Sequence, residues 1–204
     1  IQSVINKLKT NKSTRGNLPL KIVKEATKVC LMTFADCLNS AMDEDIYPDQ
    51  LKLADITPLL KKGDSTLFEN YRGISVLSVF SKIYEVVLSN QMTEYIYPKL
   101  SPKLCGFRKG HSTQYALIDL IEKWRKCIDN GGIVGTVLLD LSKAYDCLPH
   151  DLIIAKLAAY GFDESSLKLL LSYLTNRKQR VKIGSVFSTW MNIISGVPQG
   201  SILG

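Results

Sequence analysis

Asp140 closes the run Ile133 to Leu139, an apolar stretch rich in β-branched residues. An ionised carboxylate beside such a run is costly unless a cation or hydrogen bonds compensate it. Two chemistries would do so. A carboxylate at a strand end facing a cleft suits Mg²⁺, which takes one or two carboxylates and shares substrate phosphates. Alternatively, Asp140 caps a turn that starts at Leu141-Ser142-Lys143-Ala144. Asp146 lies six residues on, too far to chelate beside Asp140 if the strand merely extends, and reads as a cap or a surface ion pair. Tyr145 is either a core aromatic or a substrate contact. In Gly196-Val197-Pro198-Gln199-Gly200-Ser201 a proline stiffens a turn flanked by two glycines, so the backbone can approach a ligand that Gln199 hydrogen-bonds; the same pattern also makes ordinary loops. Lys61, Lys62 and Arg72 offer phosphate contacts or plain solvated charge.

These residues need elements to hold them. The run Ile133–Leu139 predicts a strand buried on both faces. Val23, Ala26, Cys30, Phe34, Cys37 and Leu38 recur at helical spacing, as do Phe80, Ile83, Tyr84, Val87 and Leu88. So do Leu117, Leu120, Ile121, Trp124 and Ile128, which are capped in front by Ser112 or Thr113 and stopped by Asn130-Gly131-Gly132. Residues 1–20 read as a brief helix followed by a loop from Asn11 to Pro19. Leu53 to Leu60 reads as a strand that runs into a basic turn. Helices are expected over about Asp151–Tyr160 and Glu164–Thr175, separated by Gly161 and Asp163. Arg180–Gly184 and Phe187–Ile194 should pair around Gly184-Ser185. Helices mixed with strands argue for an α+β or α/β domain.

The chain's 204 residues can bury a substantial core, and 46% apolar with 22% charged residues exclude disorder and collagen-like repeats. Twenty-six Lys and Arg against 19 Asp and Glu leave a net charge of +7, which favours polyanionic partners. Arg177, Lys178, Arg180 and Lys182 crowd one segment. Five dispersed cysteines form no CxxC pair, so zinc is not expected, and buried thiols in a reducing compartment are. No stretch reaches the roughly 18 apolar residues of a membrane span, and no secretory signal is visible, so an intracellular, non-membrane protein is expected. Ile1 at one end and Ser201-Ile202-Leu203-Gly204 at the other suggest a fragment.

Four stretches in fixed order carry a resemblance: Asn70-Tyr71-Arg72-Gly73-Ile74-Ser75, Gly106-Phe107-Arg108-Lys109-Gly110-His111-Ser112-Thr113, Asp140-Leu141-Ser142-Lys143-Ala144-Tyr145-Asp146, and Gly196-Val197-Pro198-Gln199-Gly200-Ser201-Ile202-Leu203-Gly204. From about Lys12-Ser13 onward the chain resembles the reverse transcriptase of non-LTR (LINE-like) retrotransposons. The resemblance implies an α+β right-hand polymerase, a single partial domain with fingers over about residues 1–130 and palm over about 131–204. The motif-C hairpin and the thumb would lie beyond Gly204, so the fragment alone is expected to be inactive. It further implies RNA-directed DNA synthesis with an RNA template, a DNA primer and dNTPs, expected in the cytoplasm and nucleus.

By the same resemblance Asp140, with the carbonyl of Leu141, holds catalytic Mg²⁺, two ions in the complete enzyme with Mn²⁺ as a substitute. Tyr145 excludes ribonucleotides by abutting the sugar. Arg72 and Lys62 grip the triphosphate, and Pro198, Gln199 and Gly200 line the nucleotide pocket. Gly106, Phe107 and Arg108 position the template. Gly73 stands where the family usually has proline, which should loosen a turn, and Leu104-Cys105 replaces a usual Gln-aromatic pair. Two other readings compete. One is a non-catalytic nucleic-acid-binding remnant of a degenerate element. The other is a two-carboxylate hydrolase on Asp140 and Asp146, which lacks a suitable acid or base partner, His150 being the only close imidazole.

Overall fold

The computed structural model describes residues 1–8, 14–16 and 18–204. Much of the loop expected from Asn11 to Pro19 therefore lies outside the described residues. Among them the elements run α1 (Gln2–Lys7), α2 (Leu20–Asp43), β1 (Leu53–Leu60), β2 (Tyr71–Val76), α3 (Val79–Ile96), α4 (Thr113–Asp129), α5 (Ala144–Cys147), α6 (His150–Ala159), α7 (Glu164–Leu174), β3 (Lys178–Ile183), β4 (Val186–Phe187) and β5 (Met191–Asn192). This is the mixed α+β content expected. No described helix is long and apolar enough to cross a membrane. The chain divides into two compact units, residues 1–93 with 143–204, and residues 94–142.

In the first unit a sheet is ordered β2-β1-β3-β4, with β5 also on β3. β1 and β2 form an antiparallel hairpin that sets Asp55 opposite Val76, Pro58 opposite Gly73 and Leu59 opposite Arg72. β3 joins β1 in parallel, with Arg180 beside Asp55 and Val181 beside Ile56. Because side chains alternate along a strand, one face carries Ile56, Gly73, Ser75 and Val181 and the other carries Asp55, Val76, Arg180 and Lys182. Gly184, at φ +59°, makes the two-residue hairpin between β3 and β4, where a non-glycine residue would be strained. The strand expected over Phe187–Ile194 is broken into β4 and β5. Ser188 inserts there, its Oγ accepting from Val181 N at 2.9 Å while its own N–H donates to Val181 O at 3.0 Å.

Two apolar clusters anchor the helices. Leu20 and Val23 of α2 meet Val79 and Ile83 of α3 with Ile5, and Leu38, Tyr47, Leu88, Leu169 and Leu174 form the other. At the centre of the second, Tyr47 stacks on Tyr84 and meets Tyr173 edge-on, each pair at 5.0 Å between ring centres. Polar groups are threaded through this core. Glu85 is fully buried; its Oε2 accepts from Ile202 N at 2.7 Å, and its Oε1 from Ser81 Oγ at 3.3 Å and Tyr173 Oη at 3.4 Å. Arg177, equally buried, donates to Tyr173 O at 3.0 Å and lies over the Tyr173 ring.

The second unit departs most from expectation. α4 starts as read, with Ser112 Oγ accepting from Tyr115 N at 3.3 Å, but no residue of the helix is fully buried. Ile133–Leu139 is not a strand. A ladder needs a partner, and among the described residues none pairs with this segment, so Ile133 and Leu139 stand 97% and 92% exposed. Three further expectations are corrected. Asp140 caps no helix: α5 begins at Ala144, behind Lys143 in the left-handed region (φ 52°). Gly73 sits within β2 rather than in a turn, where an added Cβ would come 2.9 Å from Ile56 Cγ2. No cysteine is fully buried, and all five are free thiols.

Burial pushes the Glu85 carboxyl above its ordinary range, despite the backbone donors of Ile202 and Leu203 and the charge of Arg177. The folded chain holds this proton more tightly than the unfolded chain. Stability from this site is therefore greatest below the ordinary glutamate value and declines as pH rises toward the elevated one. Thermal melts across that window should show the decline, and Glu85→Gln should flatten it. Glu85→Ala should cost about 3 kcal/mol by leaving Ile202 N and the Ser81 and Tyr173 hydroxyls without their acceptor in the core.

Candidate functional site

The site is organised by the turn at Ser195–Gly204. Gly196 has φ +78°, and a Cβ there would lie 2.2 Å from Tyr145 O and 2.7 Å from Asp146 Cα, so only glycine fits. This close approach lets four hydrogen bonds join the turn to α5 and the start of α6. Val197 N donates to Tyr145 O at 2.7 Å and Gly196 N to Leu148 O at 2.8 Å, while Ser195 Oγ donates to Asp146 O at 2.9 Å. His150 Nε2 lies 2.8 Å from Gly196 O, so the ring donates there.

The far end of the turn is tied to β2. Ser75 N donates to Gln199 O at 2.8 Å, and Gly200, at φ +99°, passes so close that a Cβ would meet Ile74 Cγ2 at 3.2 Å. Glu85 holds the backbone immediately beyond, at Ile202. The turn thus bridges α5 and the sheet. Between them lies a cleft of about 450 Å³ whose walls include Tyr145, Asp146, Gly73, Ser75, Val197 and Pro198. Tyr145 is half-buried and Pro198 buried.

Of the residues expected to bind nucleotide, the structure brings Tyr145 and Pro198 to one cleft. Gln199 and Gly200 stand beside it without lining it, with Gln199 serving through its carbonyl. Arg72 and Lys62 do not line it. Both lie toward the loop end of the β1–β2 hairpin, where Lys61 N donates to Asn70 O at 2.8 Å, and the register places Arg72 on the face away from Gly73 and Ser75. Both are exposed.

The remaining candidates belong to the second unit. Phe107 adopts φ +55° and is 95% exposed. That turn is held by Arg108, whose Nη1 donates to Ser101 O at 3.0 Å, and by Lys109 N, which donates to Tyr97 Oη at 3.2 Å. Asp140 and Leu141 are exposed on a segment that is neither helix nor strand. The Asp140 carboxylate and Leu141 carbonyl are oxygen donors open to solvent, a set that suits a Mg²⁺ ion whose other positions are filled by water or phosphate. Among the described residues no three His, Cys, Asp or Glu side chains gather around one ion position.

Glu85 and the pair Asp55–Arg180 escaped the reading of the sequence. Glu85 stands between Tyr84 and Val87 in an otherwise apolar stripe, and Asp55 is the one charge inside the strand Leu53–Leu60. A charge within an apolar pattern was the available signal for both. His150 was read only as the imidazole near Asp140 and Asp146, and nothing in the sequence pointed to its bond with Gly196.

The family model described as reverse transcriptase (RNA-dependent DNA polymerase) matches residues 59–204. The probable RNA-directed DNA polymerase from transposon BS of Drosophila melanogaster is 30% identical over 202 residues, covering 92% of this chain and 22% of that protein. The probable RNA-directed DNA polymerase from transposon X-element of the same organism is 30% identical over 169 residues, 81% of this chain and 18% of that one. The RNA-directed DNA polymerase from its mobile element jockey is 28% identical over 208 residues, 100% of this chain and 23% of that one. The chain spans about a fifth of the length of these relatives.

Gly196→Ala should destabilise the chain by about 2 kcal/mol or more, because positive φ strain adds to the collision with Tyr145 O. Denaturant unfolding checks this, and an unchanged midpoint would contradict the close approach.

Proposed function

The chain belongs to the reverse transcriptase family, and on that premise we propose that it supplies the fingers (about residues 1–130) and part of the palm (about 131–204) of an RNA-directed DNA polymerase of a non-LTR retrotransposon. Its partners are then an RNA template, a DNA primer and dNTPs, and its places of work the cytoplasm and nucleus. The observation that carries this reading is the turn at 196–200. Clamped on one side to the backbone of Tyr145–Asp146 and on the other to β2, it forms a cleft of nucleotide size with an aromatic ring on its wall.

Each residue then has a task. The half-buried Tyr145 is held at its backbone through its own carbonyl, which places its side chain at the wall of the cleft. A ring against the sugar excludes a 2′-hydroxyl by overlap. Pro198, Gln199 and Gly200 hold the base and the adjoining template, with the turn's shape set by the two glycines and the Ser75–Gln199 hydrogen bond. β2 is the edge strand, so the long Arg72 side chain can reach round it to the triphosphate, with Lys62 beside it at the hairpin end. The turn of Gly106, Phe107 and Arg108 meets the template, with the exposed Phe107 offering a stacking surface.

Asp140 and the carbonyl of Leu141 would hold Mg²⁺. When bound, such ions neutralise the triphosphate and acidify the primer hydroxyl.

The test is primer extension by a chimera in which these 204 residues replace the matching segment of a full-length relative. With Asp140→Ala, extension should fall about a thousand-fold, the loss of several kcal/mol of transition-state stabilisation, while template binding persists. Retained extension would remove Asp140 from the centre. With Tyr145→Ala the enzyme should incorporate ribonucleotides, and unchanged discrimination between dNTP and rNTP would refute the steric role.

A further inference from the structure

The sheet has a second face, and its chemistry is different. Opposite the cleft, cations and aromatic rings alternate. Lys182 Nζ lies 5.5 Å from the Phe187 ring centre, and the Arg180 guanidinium 3.8 Å from Phe187 and 4.6 Å from Trp190. The Arg15 guanidinium lies 5.2 Å from Trp190. This ladder follows from the register, since Lys182 pairs with Phe187 and Arg180 with Asp55. Asp55 Oδ1 accepts from Arg180 Nε at 2.8 Å and faces Arg15 Nε at 3.5 Å, fixing both guanidinium groups against the rings.

Three features set this surface apart from a covered core. Three cations meet one carboxylate, leaving two positive charges uncompensated among the described residues lining it. A cleft of about 390 Å³ opens here, with Arg15, Asp55, Arg180, Lys182 and Phe187 among its walls. Phe187 and Trp190 keep 42% and 37% of their surface exposed although the guanidinium groups already lie against them.

We propose that this face binds single-stranded nucleic acid, with Lys182, Arg180 and Arg15 meeting phosphates while unpaired bases stack on Phe187 and Trp190. Exposed rings interleaved with fixed cations suit a single strand, whose bases are open for stacking. A duplex offers phosphates but no free base faces, and an acidic peptide offers charge with nothing for the rings. Lys182 and Arg180 lie on the same side of β3, about 6.8 Å apart along it, at twice the ~3.4 Å rise per residue, so one extended strand can run along both. The site rests on the reading of the chain as part of a nucleic-acid polymerase and adds a non-catalytic contact on the sheet face opposite the cleft.

The test uses fluorescence without metal or dNTP, so its outcome is independent of the catalytic assignments. Trp124 and Trp190 are the two tryptophans, and Trp124→Phe leaves Trp190 as the sole reporter. Titration of that protein with twelve-nucleotide oligo(U) or oligo(dT) at low salt should quench Trp190 saturably. Quenching by both establishes a single-strand site indifferent to sugar; quenching by RNA alone establishes one that reads the 2′-hydroxyl. Phe187→Ala should weaken binding about ten-fold. Lys182→Ala, a surface change that leaves the fold intact, should lower the slope of log affinity against log salt by about one. The proposal is overturned if Trp190 emission does not respond, if both substitutions leave affinity unchanged, or if a duplex of the same length binds as tightly as the single strand.

Discussion

At residue 196 the backbone must turn in the left-handed region while passing a carbonyl oxygen too closely for any side chain to fit. Everything proposed for the cleft depends on that passage. It brings the N–H groups of Gly196 and Val197 onto the carbonyls of Leu148 and Tyr145, and so makes α5 and the 196–200 turn one piece of structure. α5 is a single helical turn with a lysine in the left-handed region at its cap, and so short a helix has little stability of its own. The turn holds it in place, and Tyr145 with it.

The second anchor is electrostatic. A buried carboxylate costs several kcal/mol unless its oxygens are satisfied, and Glu85 is satisfied in part by the backbone N–H of Ile202, just past the turn. The core of α3 and α7 thus reaches the functional loop directly: Tyr173 and Ser81 hold Glu85, and Glu85 holds the loop. The sheet then separates two chemistries by alternation alone. Ile56, Gly73, Ser75 and Val181 present a small, largely neutral wall to the cleft. Asp55, Arg180 and Lys182, one residue out of phase, present charge to the other side.

Much of this could be read in the chain. The helices α2, α3, α4, α6 and α7 were legible because their apolar residues recur at helical spacing and their caps are of ordinary type, Ser112 and Asp163 among them. β1 and the β3–β4 hairpin were legible from alternation and from Gly184. β2 was hidden, because Tyr71–Val76 holds an exposed arginine and a glycine, neither of them a strand signal. The run Ile133–Leu139 has the composition of a buried strand, but composition states a preference, and pairing requires a partner that no described residue provides. Tyr145 and Pro198 were identified by motif, whereas their meeting in one cleft depends on contacts some fifty residues apart. Glu85 was invisible as an anchor because the group it anchors is the backbone N–H of Ile202, more than a hundred residues away.

The central claim is that a nucleotide occupies the cleft between Tyr145 and the 196–200 turn. Photo-cross-linking measures it directly: an azido-dNTP bound with template and primer to the full-length chimera, irradiated, digested and mapped by mass spectrometry. Attachment to peptides carrying Tyr145 or Val197–Gly200 is the expected result. Attachment confined to other parts of the chain, with those peptides unmodified, would contradict it.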